Sequence, residues 1–376
     1  MRLLINLSTL GAKPTGLGVY TARCAQAACE AFDAHLIAAE SYTGPGRVID
    51  RSPDDITLGA GRYAGARRWL WSRRFSQPAG TLLYSPTHQG FANAKSQILT
   101  VHDLTSVRFP RTHPMQRLYF KHVLPSQLAA CRAVFTVSET TKQDLHEEFR
   151  TPLDSIHVVP NGVDTSLFRP ADLPRNNFLL VVGATFSHKN IEELIRRSPL
   201  WRNDYSLVIV SSRGKYREFL GREVEEAGLT EKVKFIRYAE TAELVRLYRT
   251  CAAFVFPSKW EGFGIPPLEA LACGAQVIAS DIPVHREILG DAAQFVKLGD
   301  ESSWAAAFAG LQSSTPHRHG DASLPAALQK YTWDSSARAL VEAFCKVEPS
   351  LHRHRPESVS APASGVRRGC PGGLGR

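Results

Sequence analysis

No apolar run in this sequence approaches the roughly 20 residues a membrane-spanning helix needs. The N-terminus, Met1-Arg2-Leu3-Leu4-Ile5-Asn6, meets polar residues too early for the apolar centre of a signal peptide. A cytoplasmic protein is therefore expected. Cysteine is sparse and unpatterned: Cys24, Cys29, Cys131, Cys251, Cys273, Cys345 and Cys370 form no CxxC pair. That argues against a disulfide framework or a structural zinc site and for reduced thiols in a reducing compartment. Charged residues are 22% and hydrophobic ones 43%, the balance of an ordinary soluble protein, which excludes a fibre and global disorder. At about 100–200 residues per domain, 376 residues imply two domains.

The net charge of +9 is not spread evenly. Residues 1–170 hold 19 basic against 13 acidic residues, 171–345 hold 20 against 21, and 346–376 hold 6 against 2. The densest basic cluster, Arg62 to Phe75 (RYAGARRWLWSRRF), interleaves arginines with Trp69, Trp71 and Phe75. A basic helix carrying aromatics suits an anionic membrane surface, with Arg67, Arg68, Arg73 and Arg74 as the contacts. An ordinary helix with its tryptophans in the core explains the cluster equally simply. No nucleic-acid motif accompanies the charge, so nucleic acid is not an expected partner. Residues 346–376, rich in Pro, Gly, Ser and Arg, read as a disordered basic tail.

Leu3-Leu4-Ile5-Asn6-Leu7 reads as a strand. A loop with Gly11, Gly16 and Gly18 follows, and a helix is expected from Val19 to Phe32. Strand, glycine loop and helix open a nucleotide-binding type of α/β domain. Later short apolar runs suit buried parallel strands: 81–84, 97–101, 133–137 and 156–159. The turn-rich passage from Pro160 to Pro174 marks a boundary, giving domains 1–170 and 171–345. The pattern then restarts, with strands at 178–183, 207–210, 233–236, 253–256 and 276–279 and a helix from Asn190 to Arg197. Two doubly wound domains in tandem would face one cleft, because ligands bind at the carboxyl ends of such strands.

The stretch 254–274 carries most chemistry. A strand ends at Phe256, a glycine-containing loop holds Glu261, Pro267 suits the first helical position, and Gly274 suits the helix stop. Glu269 then falls in the first helical turn. Open amides at a helix start bind phosphate, and flanking carboxylates can take sugar hydroxyls. Taken alone, such a pair is better explained by one carboxylate capping the helix and the other in solvent.

The stretch PSKWEGFGIPPLEALACGAQVIASD resembles the donor-binding motif of retaining glycosyltransferases of family 4, the group that includes bacterial polysaccharide mannosyltransferases. Two glutamates separated by seven residues, here Glu261 and Glu269, are its centre. Further matching words stand in the family's order. They are Gly16-Leu17-Gly18-Val19-Tyr20, Ser85-Pro86-Thr87-His88, Thr100-Val101-His102-Asp103-Leu104, Val137 to Lys142, Pro160-Asn161-Gly162-Val163-Asp164 and His188-Lys189-Asn190. The resemblance covers most of residues 1–345.

It implies the GT-B fold, two tandem Rossmann-like domains facing a central cleft. It implies that Glu261 binds hydroxyls of the donor sugar and Glu269 the ribose. Phe263, Gly264 and Ile265 would bring backbone amides to sugar and diphosphate. Lys189 would neutralise the diphosphate, Gly16 and Gly18 would let the backbone approach it, and His102 would lie against the donor sugar. His102, Glu261 and Lys189 are thus the expected catalytic residues. No Asp-x-Asp triplet occurs, which fits the family's metal-independent habit; no metal and no cofactor are expected. One departure stands out. Where the family often has an arginine this chain has Ala184, and where some members carry another it has His188. Thr185 and His188 are the candidates to take over phosphate contact.

Arg213, Lys215, Tyr238 and Ala239 are further candidates near the nucleotide, and His113 and Arg117 near the acceptor. Glu287 is expected to be structural, and Ser138, Glu139 and Lys142 to open a helix with Ser138 as its cap. The expected activity is metal-independent transfer of a hexosyl group, mannosyl from GDP-mannose first, to a saccharide or lipid-linked saccharide in bacterial surface polysaccharide synthesis. The enzyme would sit in the cytoplasm or at the inner membrane face. UDP- and dTDP-sugars are alternative donors. A silent nucleotide-sugar-binding protein is the rival from another class. A dinucleotide-dependent oxidoreductase fits poorly, because Gly16-Leu17-Gly18 lacks the third glycine at the right spacing.

Overall fold

The computed structural model describes residues 1–11, 16–61, 63–112, 114–313 and 325–352. Two parallel sheets organise the chain. The first holds β1 (Arg2–Leu7), β2 (Ala34–Ala39), β3 (Arg47–Ser52), β4 (Thr81–Ser85), β5 (Gln97–Val101), β6 (Ala133–Thr136) and β7 (Ile156–Val158). Its order is β3-β2-β1-β4-β5-β6-β7. The second holds β8 (Phe178–Val182), β9 (Ser206–Val210), β10 (Val233–Ile236), β11 (Ala253–Phe256), β12 (Gln276–Ser280) and β13 (Gln294–Val296), in the order β10-β9-β8-β11-β12-β13. The central strands are apolar on both faces, as sheets covered by helices on both sides require. Leu3, Leu4 and Ile5 in β1 are fully buried, and so are Leu179 and Leu180 in β8. Each sheet reverses direction once, at β1/β4 and at β8/β11, and such switch points open the crevice that takes ligands.

Three strands escaped the sequence reading. β2 is Ala-rich and looks like a continuation of the preceding helix. β3 is an edge strand, mostly exposed and polar. β13 has only three residues. The first helix also begins earlier than expected, spanning Gly16–Ala31. Its buried positions Gly18, Thr21, Ala25 and Ala28 keep helical spacing from the glycines onward, so packing overrides the low helix propensity of glycine.

The last helix, Trp333–Val347, returns to the first domain. Its Phe344 ring meets Phe32, Tyr84 and Phe135 edge-on, at centroid distances of 5.7, 5.0 and 5.4 Å. The chain thus crosses between the sheets twice, where the expected division into 1–170 and 171–345 has one crossing. The two crossings touch. Val163 N–H donates to Tyr331 O at 2.9 Å, and Ser336 Oγ donates to Pro160 O at 2.6 Å. A Cβ on Gly162 would lie 2.4 Å from Trp333 N, so only glycine fits between the strands of this junction. Residues 346–352, assigned to the tail from composition, finish that helix and bond to the first domain beside β1 and β2: Asp33 N–H donates to His352 O at 2.9 Å. The rest of the expected tail lies outside the described residues.

Candidate active site

The switch point of the second sheet is lined by the loops after β8 and β11. Lys189 comes from the first loop and Glu261 from the second, and they meet: Lys189 Nζ lies 2.5 Å from Glu261 Oε1, both largely buried. The ammonium also sits 5.1 Å from the centre of the Phe256 ring. Burial pushes the Glu261 carboxyl up, but the charges of Lys189 and His188 and the Lys189 hydrogen bond outweigh it and hold it below the usual glutamate value.

The helix after this loop is Ile265–Ala272, with Gly264 as its N-cap in the left-handed region at φ 101°, a conformation glycine adopts freely. Pro267 is therefore the third helical residue, not the first, and Glu269 the fifth, one turn past the open amides. The cap glycine starts the helix before the prolines, and only the first-turn N–H groups go unbonded. Glu269 Oε2 instead accepts from the Tyr248 hydroxyl at 3.0 Å. Burial pushes its carboxyl up to about 7, against the opposing Tyr248 hydrogen bond. The expected stop at Gly274 is present, with φ 77°.

The first domain contributes the start of the helix Gly16–Ala31 and the loops after β4 and β5. His102 follows β5, and its Nε2 is 2.9 Å from Pro86 O, after β4. A carbonyl only accepts, so Nε2 carries the proton and, in the neutral ring, Nδ1 keeps its lone pair. Burial lowers the histidine's pKa further from neutrality, although the Pro86 carbonyl and Asp103 oppose this. Tyr20 packs its ring edge-on at 4.6 Å. His88 is pushed down to about 4 by burial.

These groups face one another across the interdomain cleft. A Cβ on Gly262 would lie 1.8 Å from His102 O, so the loop carrying Glu261 rests directly on the strand end carrying His102. The cleft encloses about 640 Å³, with Gly16, His102, Glu261, Gly264 and Glu269 among its walls. That volume is ordinary for a small-molecule site, roughly 300–1,000 Å³.

Of the expected site residues, Gly16, His102, Glu261, Phe263, Gly264, Ile265 and Glu269 line this cleft. Lys189 adjoins it through Glu261. Gly18 is buried in the first helix. Thr185 donates its hydroxyl to Ser211 O at 3.3 Å, and His188 is buried between Phe186 and Phe109; neither lines the cleft. Ala184 is fully buried in the second core and holds no charge where the family often has arginine. Arg213, Lys215 and Arg117 are exposed, Tyr238 is 67% exposed, and His113 lies outside the described residues.

Sequence reading missed Arg23, Asn161 and Trp333 on the cleft wall. Arg23 Nη2 pairs with Asp164 Oδ2 at 2.9 Å, and its guanidinium lies 5.8 Å from the Trp333 ring centre. Only the return of the last helix brings these three together, and local sequence carries no signal of it. The arginine cluster needs correction too. Arg68 does not face outward. It is 4% exposed, donates through Nε to Ile56 O at 2.7 Å, and also bonds Gln89 Oε1. Anchoring the helix Ala64–Ser72 to the body occupies it, and burial lowers its pKa to about 10. Arg67 pairs with Asp55 at 3.3 Å, while Arg73 and Arg74 remain exposed.

Residues 165–320 match the family described as "Glycosyl transferases group 1", and residues 14–167 the one described as "Glycosyltransferase Family 4". The chain is 32% identical over 323 residues to the O-antigen chain mannosyltransferase RfbU of Salmonella typhimurium strain LT2, covering 82% of this chain and 91% of that one. It is 26% identical over 306 residues to O-antigen chain mannosyltransferase B of Escherichia coli, covering 77% and 80%. Among solved structures, HepE of Anabaena in complex with UDP and glucose superposes with a TM-score of 0.68 at 15% identity, over 92% of this chain and all (100%) of that one.

Proposed function

This chain belongs to the family 4 glycosyltransferases, with the GT-B fold, and on that premise we propose that it transfers a mannosyl group from GDP-mannose, with retention of configuration and without a metal ion. The acceptor in this reading is a saccharide or lipid-linked saccharide of bacterial surface polysaccharide synthesis. The observation that carries it is the junction of Lys189, Glu261 and the start of the helix Ile265–Ala272, set against His102 in one cleft. Mannosyl is preferred because both relatives named above are O-antigen chain mannosyltransferases.

Breaking a sugar–diphosphate bond leaves negative charge on the departing phosphate. Fixed positive groups aimed at that charge stabilise the transition state. In this protein they would be the Lys189 ammonium and the first-turn N–H of Ile265, since Pro266 and Pro267 have none. The diphosphate would draw the ammonium partly from Glu261, freeing carboxylate oxygens for sugar hydroxyls. Glu269 would accept from the ribose, and His102 Nδ1 would accept from a sugar hydroxyl on the opposite wall. Holding donor and acceptor in one cleft supplies the entropic part of the acceleration. The leaving phosphate would take the acceptor's proton on the same face of the sugar ring.

The test is a thermal-shift and transfer assay with GDP-, UDP- and dTDP-sugars, with and without EDTA, reading product anomers by NMR. A ligand that binds only the folded state raises its melting temperature. Selective stabilisation and transfer with GDP-mannose, unaffected by EDTA and yielding the α-anomer, supports the reading. Preference for a UDP- or dTDP-sugar replaces the donor. Binding without transfer to any acceptor leaves a nucleotide-sugar-binding protein.

The same proposal extends to a peripheral membrane position. Among the described residues no helix is long and apolar enough to cross a membrane. The first domain nevertheless exposes Leu70 (56%) beside Arg73 and Arg74, and Met115 (48%) and Leu118 (53%) beside Arg117 and Lys121. Trp69 and Tyr119 line one small recess, so the two helices carrying these residues are neighbours. Apolar tips ringed by cations suit an anionic lipid surface. Flotation with phosphatidylglycerol vesicles, against phosphatidylcholine alone, checks this; equal recovery from both removes the membrane from the reading.

A further inference from the structure

Glu287 stands on the helix Pro283–Leu289 of the second domain, yet its carboxylate serves the first. Its Oε1 accepts from Glu139 N–H at 2.7 Å. Its Oε2 accepts from Thr140 N–H at 2.9 Å and from Thr140 Oγ1 at 2.7 Å. Both residues open the helix Glu139–Phe149, whose unbonded N–H groups and positive dipole end favour a carboxylate. The flanking residues of the same helix start, Ser138 and Thr141, reach a second segment. Ser138 Oγ donates to Gly262 O at 2.7 Å, and Thr141 Oγ1 donates to the same carbonyl at 3.2 Å.

One helix start of the first domain is thus gripped by two segments of the second. One grip is the carboxylate of Glu287. The other is the peptide immediately after Glu261, in the loop that rests on His102. Every one of these bonds spans the two domains, with more than 120 residues between partners. Opening the cleft would hand each group to water, where it bonds about as well. The contacts therefore do little for the stability of either domain alone and much for where the Glu261 loop stands when the cleft is shut.

The geometry points to Glu287, Ser138 and Thr141 as an interdomain catch that sets the Glu261 loop against His102 in the closed form. They are positioning residues for the transfer. This rests on the reading of Glu261 and Lys189 as the donor site. Glu287 is well placed for the task because the described hydrogen bonds of its carboxylate all go to the opposite domain.

The experiment uses the full chain and three variants, Glu287→Ala, Glu287→Gln and Thr140→Val. Amide hydrogen exchange reads the catch with no substrate present. In Glu287→Ala, protection at residues 139–141 falls, while the interior of that helix and the second domain keep theirs. Calorimetry with GDP and GDP release from GDP-mannose at saturation read the consequence. The GDP Kd stays within about threefold of wild type, while turnover falls about 10- to 100-fold, the scale for a reacting group displaced by about 1 Å. Glu287→Gln keeps an acceptor oxygen and recovers part of the turnover; Thr140→Val, changed on the opposite domain, loses a smaller part. Unchanged exchange at 139–141, or turnover that falls only in step with GDP affinity or melting temperature, overturns the catch. If wild-type protein binds no nucleotide, the donor-site reading fails, and the exchange data still judge the catch by themselves.

Discussion

The two halves share a strand order around their switch points and differ in what they place there. The second half sets a buried ion pair, Lys189 with Glu261, and a buried carboxyl, Glu269, whose pKa is raised to about 7. The first half sets neutral histidines: His102 held by a carbonyl, and His88 pushed down to about 4. Net charge runs the opposite way, with the basic excess in residues 1–170 and near neutrality in 171–345. Bulk charge therefore does not locate working charge. Most of the first half's arginines face solvent or, like Arg68, serve as struts, and Arg23 on the cleft wall is paired with Asp164; the cation held by Glu261 belongs to the balanced half.

The largest test of this contrast removes the pair. Glu261→Ala should abolish detectable transfer and, by stranding the buried ammonium, destabilise the protein by about 3–5 kcal/mol in urea denaturation. Adding Lys189→Met should return part of that stability and no activity. A Glu261→Ala enzyme with full activity would sink the site assignment. Phe344→Ala probes the neutral half. Losing a ring packed on Phe32, Tyr84 and Phe135 should cost about 3–5 kcal/mol, with GDP affinity kept in the protein that remains folded.

Next comes pH. A carboxyl whose folded pKa is raised binds its proton more tightly when folded. Its contribution to stability is thus greatest below the ordinary glutamate value and is lost as pH rises through about 7. On the proposed reading, ribose hydroxyls would donate to the ionised form, so GDP affinity should strengthen as pH rises through about 7, and Glu269→Gln should flatten that dependence in calorimetry. A wild-type profile flat from pH 5.5 to 8 would contradict it. The smallest effect lies at the periphery: Arg73→Glu with Arg74→Glu should weaken vesicle binding by about 1 kcal/mol per residue, leaving transfer to a soluble acceptor unchanged.

Legibility followed the range of the physics. The apolar runs that became β1, β4, β5, β8 and β11 are local signals, and they were readable. The edge strands β3 and β13 are short or polar, because only one neighbour and half a core specify them. His102 and Glu261, which line the cleft, were picked out by the words around them. That Glu261 would hold Lys189, 72 residues away, is a consequence of strand order. Arg68 was misread because a helical pattern shows which residues are charged, not which charges find carbonyl partners at Ile56. Glu287 was taken as structural, and its partners at Glu139 and Thr140 belong to the other domain, beyond any local reading.

The paired crossings at Pro160–Val163 and Tyr331–Ser336 give the chain the topology of an insertion: the second domain is spliced into a host whose segments around Met1 and Ser350 lie side by side. Met1 N donates to Ser350 O at 2.6 Å, which closes the host on itself. A chimera cut once, near residue 170, would carry away the helix that completes the host's core. Exchanging donor modules between relatives takes two cuts, one at each crossing, and the host would then keep Phe344 whatever nucleotide the new module binds.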